Sequence, residues 1–347
     1  MKEGVGPRVT ALVLSAVLLT LTGGIVYQWV GTRRDRRRVR APGAFVTVDG
    51  RRVHVHTVGA GTPPVVFESG IAASSLNWTA VQRGVGGVTS ATTYDRAGYG
   101  WSDPAPGPVN ASTTCERLRA VLDAAGIAPP FVLVGHSFGS YILQVYACRH
   151  PGEIAGMVLV DPITHDDWQS PGPGQRRTLR GGVLFSGIGA LAAASGLLRF
   201  LLSRLEAGSP GAGRAVLRWL GSRAMAAVTG IVGQVGKMPH EVWPAIRAHW
   251  SRPTSFLTMA RYVAALPESA RQVGVEVGAA PPWPFPLVVL TGGRSESNRE
   301  RHRVLTARSR HGTHTVVADT GHWIHLDAPA AVVEAITTVV TRARALS

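Results

Sequence analysis

Cysteine and negative charge are both scarce in this chain. The 347 residues include only two cysteines, Cys115 and Cys148, and these form no C-x-x-C pair. This count excludes a disulfide framework and a redox motif, and no ligand spacing indicates a metal site or cofactor. Aspartate and glutamate total 21 against 36 lysine and arginine residues, so the net charge is +15. No nucleic-acid-binding motif accompanies the positive charge, which argues against nucleic acid as a partner.

The longest segment without a charged side chain is close to the N-terminus, from Val9 to Val30. As a helix it is long enough to cross a hydrocarbon core of about 30 Å. Six arginines follow it within a short run, at positions 33, 34, 36, 37, 38 and 40. Such a flank favours contact with anionic headgroups and, by the positive-inside rule, a cytoplasmic location for the following chain. A cleaved signal peptide is the alternative, but its apolar region is typically shorter.

These features predict a single-pass cell-membrane protein with two parts. Residues 1–40 form the anchor and its Arg-rich flank, and residues 41–347 form one α/β domain. We expect that removal of residues 1–40 leaves a soluble, active domain, because no predicted sheet residue lies there.

Apolar, β-branched runs alternate with segments of helical spacing from Pro64 onward. This alternation predicts a mainly parallel sheet with helices on both faces. Two shorter runs before it are joined by Asp49-Gly50, a strong hairpin signal. The pattern stops between about residues 163 and 283, which predicts a helical insertion. Its apolar stretch, residues 182–202, is interrupted by Arg199, and this favours a lid or membrane-facing cap over a second membrane span.

A strand–turn–helix pattern surrounds Ser137. An apolar run, Phe131–Val134, leads into Gly135-His136-Ser137-Phe138-Gly139, and a helix-compatible segment follows. Such an elbow holds the central serine in a strained turn and presents its hydroxyl at a helix N-terminus. The pattern predicts that Ser137 is a nucleophile.

Several motifs together resemble the alpha/beta-hydrolase fold superfamily, over about residues 44–162 and 284–347. In chain order they are Ser69-Gly70 with Trp78, Asp95 to Ser102, Gly135 to Gly139, Val158 to Pro162, and Gly321-His322-Trp323. The resemblance implies an eight-stranded, mostly parallel sheet with a helical cap inserted after the sixth strand.

A serine hydroxyl needs a neighbouring base to become a good nucleophile. His322 follows the final predicted strand and is the expected base, with His325 as the next candidate. Two carboxylates compete for the third role. Asp161 ends the sixth strand, whereas Glu296 lies after the seventh strand, where most family members have an aspartate. Asp161 is favoured because it is shorter and leaves a rigid strand.

The resemblance also implies an oxyanion hole formed by the backbone N–H groups of Phe138 and Ile71. Trp78, Tyr99 and Trp101 are candidates for an apolar substrate pocket, with aromatic core packing as the equal alternative.

The sequence therefore predicts a membrane-anchored serine hydrolase that cleaves small or lipid-like carboxylic esters, or amides or thioesters, through an acyl-enzyme. One alternative is a catalytically idle hydrolase-like domain that binds at a membrane. Another is cofactor-free haloperoxidase-type activity. Epoxide hydrolases and haloalkane dehalogenases of this fold use an aspartate nucleophile, so Ser137 argues against both.

Overall fold

A computed structural model describes residues 6–207 and 233–346. Its centre is one eight-stranded sheet of order β1-β2-β4-β3-β5-β6-β7-β8. The strands are β1 (Ala44–Val48), β2 (Arg51–Val58), β3 (Val65–Glu68), β4 (Ala91–Tyr94), β5 (Phe131–His136), β6 (Ile154–Val160), β7 (Leu287–Gly292) and β8 (Gly312–Val317). β2 is antiparallel to β1 and β4, and all other neighbours are parallel. The predicted alpha/beta-hydrolase sheet is confirmed.

The turn between β1 and β2 shows why the local sequence specified this hairpin. Asp49 and Gly50 have φ values of 50° and 70°. Two consecutive residues in this left-handed region match the right-handed twist of the flanking strands, and Asp-Gly tolerates that conformation well.

Helices cover both faces of the sheet because successive strand residues point to opposite sides. They are α2 (Thr79–Gly86), α3 (Ala111–Ala124), α4 (Gly139–Arg149), α11 (Arg299–Thr306), α12 (Ile324–Asp327) and α13 (Pro329–Leu346). In β5, Val132 and Val134 join one buried cluster with α2 and α13, whereas Leu133 joins another with α3 and α4. The continuous apolar run of this strand is thus explained by burial on both faces.

The expected cap is inserted between β6 and β7. Its described helices are α5 (His165–Trp168), α6 (Pro173–Ala194), α7 (Leu197–Glu206), α8 (Trp243–Trp250), α9 (Pro253–Ala264) and α10 (Leu266–Ala279). Small residues allow α6 to lie close against α9: Ala190 and Ala193 are buried in one cluster with Phe256 and Met259.

The N-terminal helix, α1 (Pro7–Arg38), is continuous through the apolar segment and most of the arginine run. Within the described ranges it is the single unbroken helix long and apolar enough to cross a membrane, with a mean hydropathy of 2.2 in its most apolar window. α6 and α7 meet the same criterion only as a pair, joined across an 82° bend. The residues of this most apolar window of α1 are not buried inside the protein.

The C-terminal half of α1 packs on the cap through a buried polar network. Arg199 of α7 is 2% exposed and donates to Asp35 at 2.5 Å, Gln28 at 2.7 Å and Thr32 at 3.2 Å. Arg247 also pairs with Asp35, at 3.1 Å. Gln28, Thr32 and Asp35 are spaced by four and three residues, so they lie on one face of α1. This contact packs α1 against the cap, and that the domain stays soluble and active without residues 1–40 remains a prediction.

We expect Asp35→Ala to lower the free energy of unfolding by about 3–5 kcal/mol, because Arg199 would remain buried without its carboxylate. Denaturant unfolding of the full chain in detergent micelles measures this change. Asp123→Ala removes an exposed aspartate of α3 and is the control, with an expected change within about 0.5 kcal/mol. Equal midpoints for the two variants would show that the Asp35–Arg199 pair does not stabilise the cap.

Candidate active site

Ser137 lies in a tight turn between β5 and α4. Its φ of 51° is in the left-handed region, which costs a non-glycine residue conformational energy. Hydrogen bonds of the Ser137 backbone hold this conformation. The Ser137 N–H donates to the Val160 carbonyl at 3.2 Å, and the Ser140 hydroxyl donates to the Ser137 carbonyl at 2.5 Å.

Glycines allow the chain after β3 to pass directly over this turn. A Cβ atom at Gly139 would lie 2.6 Å from the Glu68 carbonyl oxygen, and one at Gly70 would lie 3.2 Å from the Ser137 Cβ. Side chains at either position would push the two segments apart. The close approach brings the Gly70–Ile71 turn next to Ser137.

His322 and Asp161 are in direct contact. The His322 Nδ1 lies 2.6 Å from the Asp161 Oδ2, and the other carboxylate oxygen accepts from the Gly292 N–H at 3.1 Å. Asp161 follows β6 with a φ of 40°, and it is buried. By contrast, the Glu296 side chain is 84% exposed and lies 3.5 Å from Arg299. Of the two carboxylates left open by the sequence, the structure brings Asp161 to His322 and leaves Glu296 in solvent.

The loop that carries His322 is held by hydrogen bonds of the preceding N–H group, that of Gly321, and of the His322 carbonyl. The Gly321 N–H donates to the Asp327 carboxylate at 2.8 Å, and Asp327 also pairs with Lys237 of the cap. The His322 carbonyl accepts from the His136 ring at 2.9 Å. These contacts position the backbone of His322 while its side chain stays 42% exposed.

Two further histidines, His136 and His325, lie beneath His322. Burial lowers the pKa of His136 well below its usual value and lowers that of His325 to about 3, and the neighbouring rings add to both shifts. Within the part of the chain that the structure describes, the Nδ1 atoms of both rings lack a hydrogen-bond partner. Both rings are therefore neutral, whereas His322 has a carboxylate partner and access to solvent. The ring of His325, the second candidate base, instead stacks on the Trp78 ring, with 4.4 Å between the ring centroids.

The backbone donors proposed by resemblance, Ile71 and Phe138, follow the two segments that meet at Ser137. Over residues 6–207 and 233–346, no acceptor pairs with either of these N–H groups. Ile71 is partly exposed, and Phe138 is the N-cap residue that precedes α4. Free N–H groups beside a serine are the arrangement that stabilises a developing oxyanion.

A buried arginine holds the Gly70–Ile71 turn from behind. Arg96 donates to the Gly70 carbonyl at 2.6 Å, to the Ser69 carbonyl, and to the Glu68 carboxylate at 2.5 Å. The Tyr94 hydroxyl donates to the same carboxylate. The roles of Glu68 and Tyr94 were not predicted from the sequence. The available signal was Glu68 itself, a charged residue that ends an apolar buried strand.

A cavity of about 450 Å³ lies beside this centre under the cap, and Ser137, His322 and Asp161 are not among the described residues of its wall. Its wall includes Ala72, next to Ile71, and Trp323, next to His322. The other wall residues are mostly apolar: Ser74, Leu76, Asn77, Phe185, Gln234, Val235, Met238, Ile246, His249, Trp250 and Met259. The cap residues in this list were missed because the cap carries no diagnostic motif.

The three aromatic residues predicted to line the pocket lie outside the wall of this cavity. Trp78 is 1% exposed and packs between Phe67 and His325. The Tyr99 hydroxyl accepts from the Ala72 N–H at 3.3 Å, and Trp101 packs against His249. These contacts favour core packing and support of the site, the alternative that the sequence left open, and a role in the substrate pocket remains a prediction.

Metal-ligand geometry is not found at the site. In the described residues, no group of three or more histidine, cysteine, aspartate or glutamate side chains is arranged to hold a metal ion. Both ring nitrogens of His54 are occupied, by Asp95 at 2.8 Å and by the Pro42 carbonyl at 2.5 Å.

Comparison with known proteins agrees with the fold. Residues 63–186 match the family model described as alpha/beta hydrolase fold. Among solved structures, an epoxide hydrolase, Cif, from Acinetobacter nosocomialis is similar, with a TM-score of 0.66 and 15% identity over 91% of this chain and 96% of that one. A thermophilic esterase from Thermogutta terrifontis has a TM-score of 0.58 and 17% identity over 86% of this chain and 98% of that one. These similarities show that the chain has the alpha/beta-hydrolase fold.

One curated relative is the uncharacterized protein YqjL of Bacillus subtilis strain 168. It is 36% identical over 121 residues, which are 35% of this chain and 48% of YqjL. The match spans about half the length of that relative.

Proposed function

We propose that this protein is a serine hydrolase that cleaves carboxylic esters through an acyl-enzyme. The observation that carries the proposal is the contact of His322 with buried Asp161, at the same sheet edge as the strained Ser137 turn. The domain is residues 41–347 with α1 packed on its cap, and the catalytic residues are Ser137, His322 and Asp161.

The proposed reaction has two halves. The Ser137 Oγ attacks the ester carbonyl carbon, and its proton passes to the Nε2 of His322. The resulting oxyanion accepts hydrogen bonds from the Ile71 and Phe138 N–H groups. The C–O bond to the alcohol then breaks, and His322 returns the proton to the leaving oxygen. In the second half, His322 takes a proton from water as the water oxygen attacks the acyl-enzyme. The bond between the Ser137 Oγ and the acyl carbon then breaks, His322 returns its proton to the Oγ, and the carboxylic acid is released.

The substrate class follows from the cavity. Its wall is mainly apolar, with Met238, Ile246, Trp250 and Met259 among the side chains. A pocket of this kind favours an apolar acyl or alcohol group, with few polar contacts to fix its orientation. An ester with an extended apolar group is therefore the proposed substrate.

Membrane location belongs to the same proposal. α1 crosses the cell membrane once, with the arginine-rich end and the catalytic domain on the cytoplasmic side. Arg33 lies over the Trp29 ring, 3.7 Å from its centroid. Tryptophan and arginine at this point of a span are typical of the headgroup region.

A fluorophosphonate probe tests the serine assignment. We expect the purified full chain in detergent to form one covalent adduct, located at Ser137 by peptide mass spectrometry, because an activated serine attacks phosphorus as it attacks an ester. Heat-denatured protein is the control and should not react. Absence of an adduct on the folded protein would contradict the proposal and favour the idle binding domain.

A further inference from the structure

One face of α6 exposes a stripe of large apolar side chains. Leu184, Ile188 and Leu191 are 65%, 58% and 73% exposed. Their spacing of four and three residues places them on the same side of the helix. The opposite side packs on α9 through Ala190 and Ala193. A contiguous exposed apolar face of this kind marks an interaction surface.

This stripe leads to a corner of the cap that touches α1. A Cβ atom at Gly24 would overlap the Ser195 carbonyl, and one at Gly31 would lie 2.6 Å from the Arg199 Nε. The bend between α6 and α7 is therefore in backbone contact with α1 at Gly24, and the Arg199 side chain of α7 contacts α1 at Gly31, about two helical turns further along.

The contact fixes the level of this corner relative to the apolar part of α1. Gly24 precedes Val30, the end of the charge-free segment, by six residues, which is about 9 Å at 1.5 Å per helical residue. Arg33 lies on the far side of Val30. The α6–α7 corner is thus level with the part of α1 that suits hydrocarbon.

We propose that the α6–α7 corner, with its stripe of Leu184, Ile188 and Leu191, is immersed in the lipid bilayer beside α1. The depth, about 5–10 Å, is that of helices that lie in the membrane interface. The lipid-facing surface of this protein therefore comprises α1 and the cap together. This inference rests on the proposed membrane location of α1 and does not depend on the ester chemistry.

The charges around the corner fit this location. A charged side chain in hydrocarbon is costly unless it is paired. Arg199 is the one charged residue between 182 and 202, and it is buried against Asp35 at 2.5 Å. Near the other end of α6, Arg176, Arg177 and Arg180 are exposed. These cations suit anionic headgroups, as does the arginine run of α1.

Spin labels test the proposal in the full chain. Leu191→Cys and Val275→Cys are prepared in a Cys148→Ala background, which leaves only the buried Cys115. Leu191 and Val275 are both 73% exposed, so the pair is matched. Val275 lies on α10, beside Glu276, which pairs with Arg149 at 2.6 Å. The proteins are placed in vesicles of phosphatidylcholine with phosphatidylglycerol, and collisions with oxygen and with a water-soluble nickel complex are measured.

We expect the ratio of oxygen collision rate to nickel collision rate to be at least about tenfold higher for the label at position 191 than for the label at 275. Oxygen concentrates in hydrocarbon, whereas the nickel complex is excluded from it. Equal nickel collision at the two positions would place the corner in water and overturn the proposal. Protection of position 191 from both reagents would show a second copy or another protein on the stripe, and this result overturns it as well.

Discussion

Replacement of Ser137 by alanine is expected to lower kcat for ester hydrolysis by roughly 10⁶-fold, the size of the loss when the nucleophile of a Ser-His-Asp hydrolase is removed. The hydroxyl is the atom that would form the acyl-enzyme, and no neighbouring group replaces it at the elbow. Folding should be unchanged, because the strained Ser137 backbone is held by Val160 and Ser140 rather than by its own side chain. Steady-state hydrolysis of nitrophenyl esters measures the rate, and circular dichroism measures the fold.

Ser140→Ala is the matched control within the same turn. The Ser140 hydroxyl donates to the Ser137 and Ile163 carbonyls, at 2.5 and 3.4 Å. Loss of a neutral hydrogen bond costs about 0.5–1.5 kcal/mol, so a rate change up to about tenfold is expected. Wild-type turnover by Ser137→Ala, or an equal loss in both variants, would exclude Ser137 as the nucleophile.

Asp161→Asn should lower kcat by about four orders of magnitude, the size of the effect when a triad aspartate becomes an amide. The Gly292 N–H already donates to one oxygen of Asp161. An asparagine would turn its carbonyl oxygen toward that donor and its NH₂ group toward His322. The His322 Nδ1 would then have to accept, so the ring proton would sit on Nε2, where it prevents abstraction of the Ser137 proton.

Glu296→Gln is the comparison variant and should change kcat less than about tenfold. The Glu296 side chain is 84% exposed and lies near Arg299, so its charge is largely screened. Both variants are assayed as folded proteins under the same conditions. If Glu296→Gln is the more damaging, the acid belongs to the loop after β7 and the triad proposed above is wrong.

Much of the sheet could be predicted because its signals are local. The Asp49-Gly50 turn and the apolar run of β5 each report on their own backbone and burial. The choice between Asp161 and Glu296 was harder, since both follow neighbouring strands. The choice depends on the direction in which the backbone points each side chain. The φ of 40° at Asp161 sets that direction, and no local sequence pattern predicts it.

Side-chain direction and contacts across long stretches of chain could not be predicted for the same reason. An aromatic residue such as Trp78 suits a pocket or a core equally well, and only packing against Phe67 and His325 decides. The network of Arg199 with Gln28 and Asp35 joins residues more than 160 positions apart. A helix pattern shows that Gln28 and Asp35 share a face, but not what that face meets.

The position of Arg96 behind the Gly70–Ile71 turn lets it influence the proposed catalysis without contacting the substrate. A trans peptide is planar, so its carbonyl and its N–H point in opposite directions. By holding the Gly70 carbonyl at 2.6 Å, Arg96 therefore sets the direction of the Ile71 N–H. The planar peptide between Gly70 and Ile71 moves as one rigid unit, and its orientation is set by the buried Arg96 guanidinium, which lies outside the cavity wall. In the proposed mechanism, the donor that meets the oxyanion is oriented before substrate arrives, by a side chain that never touches the substrate.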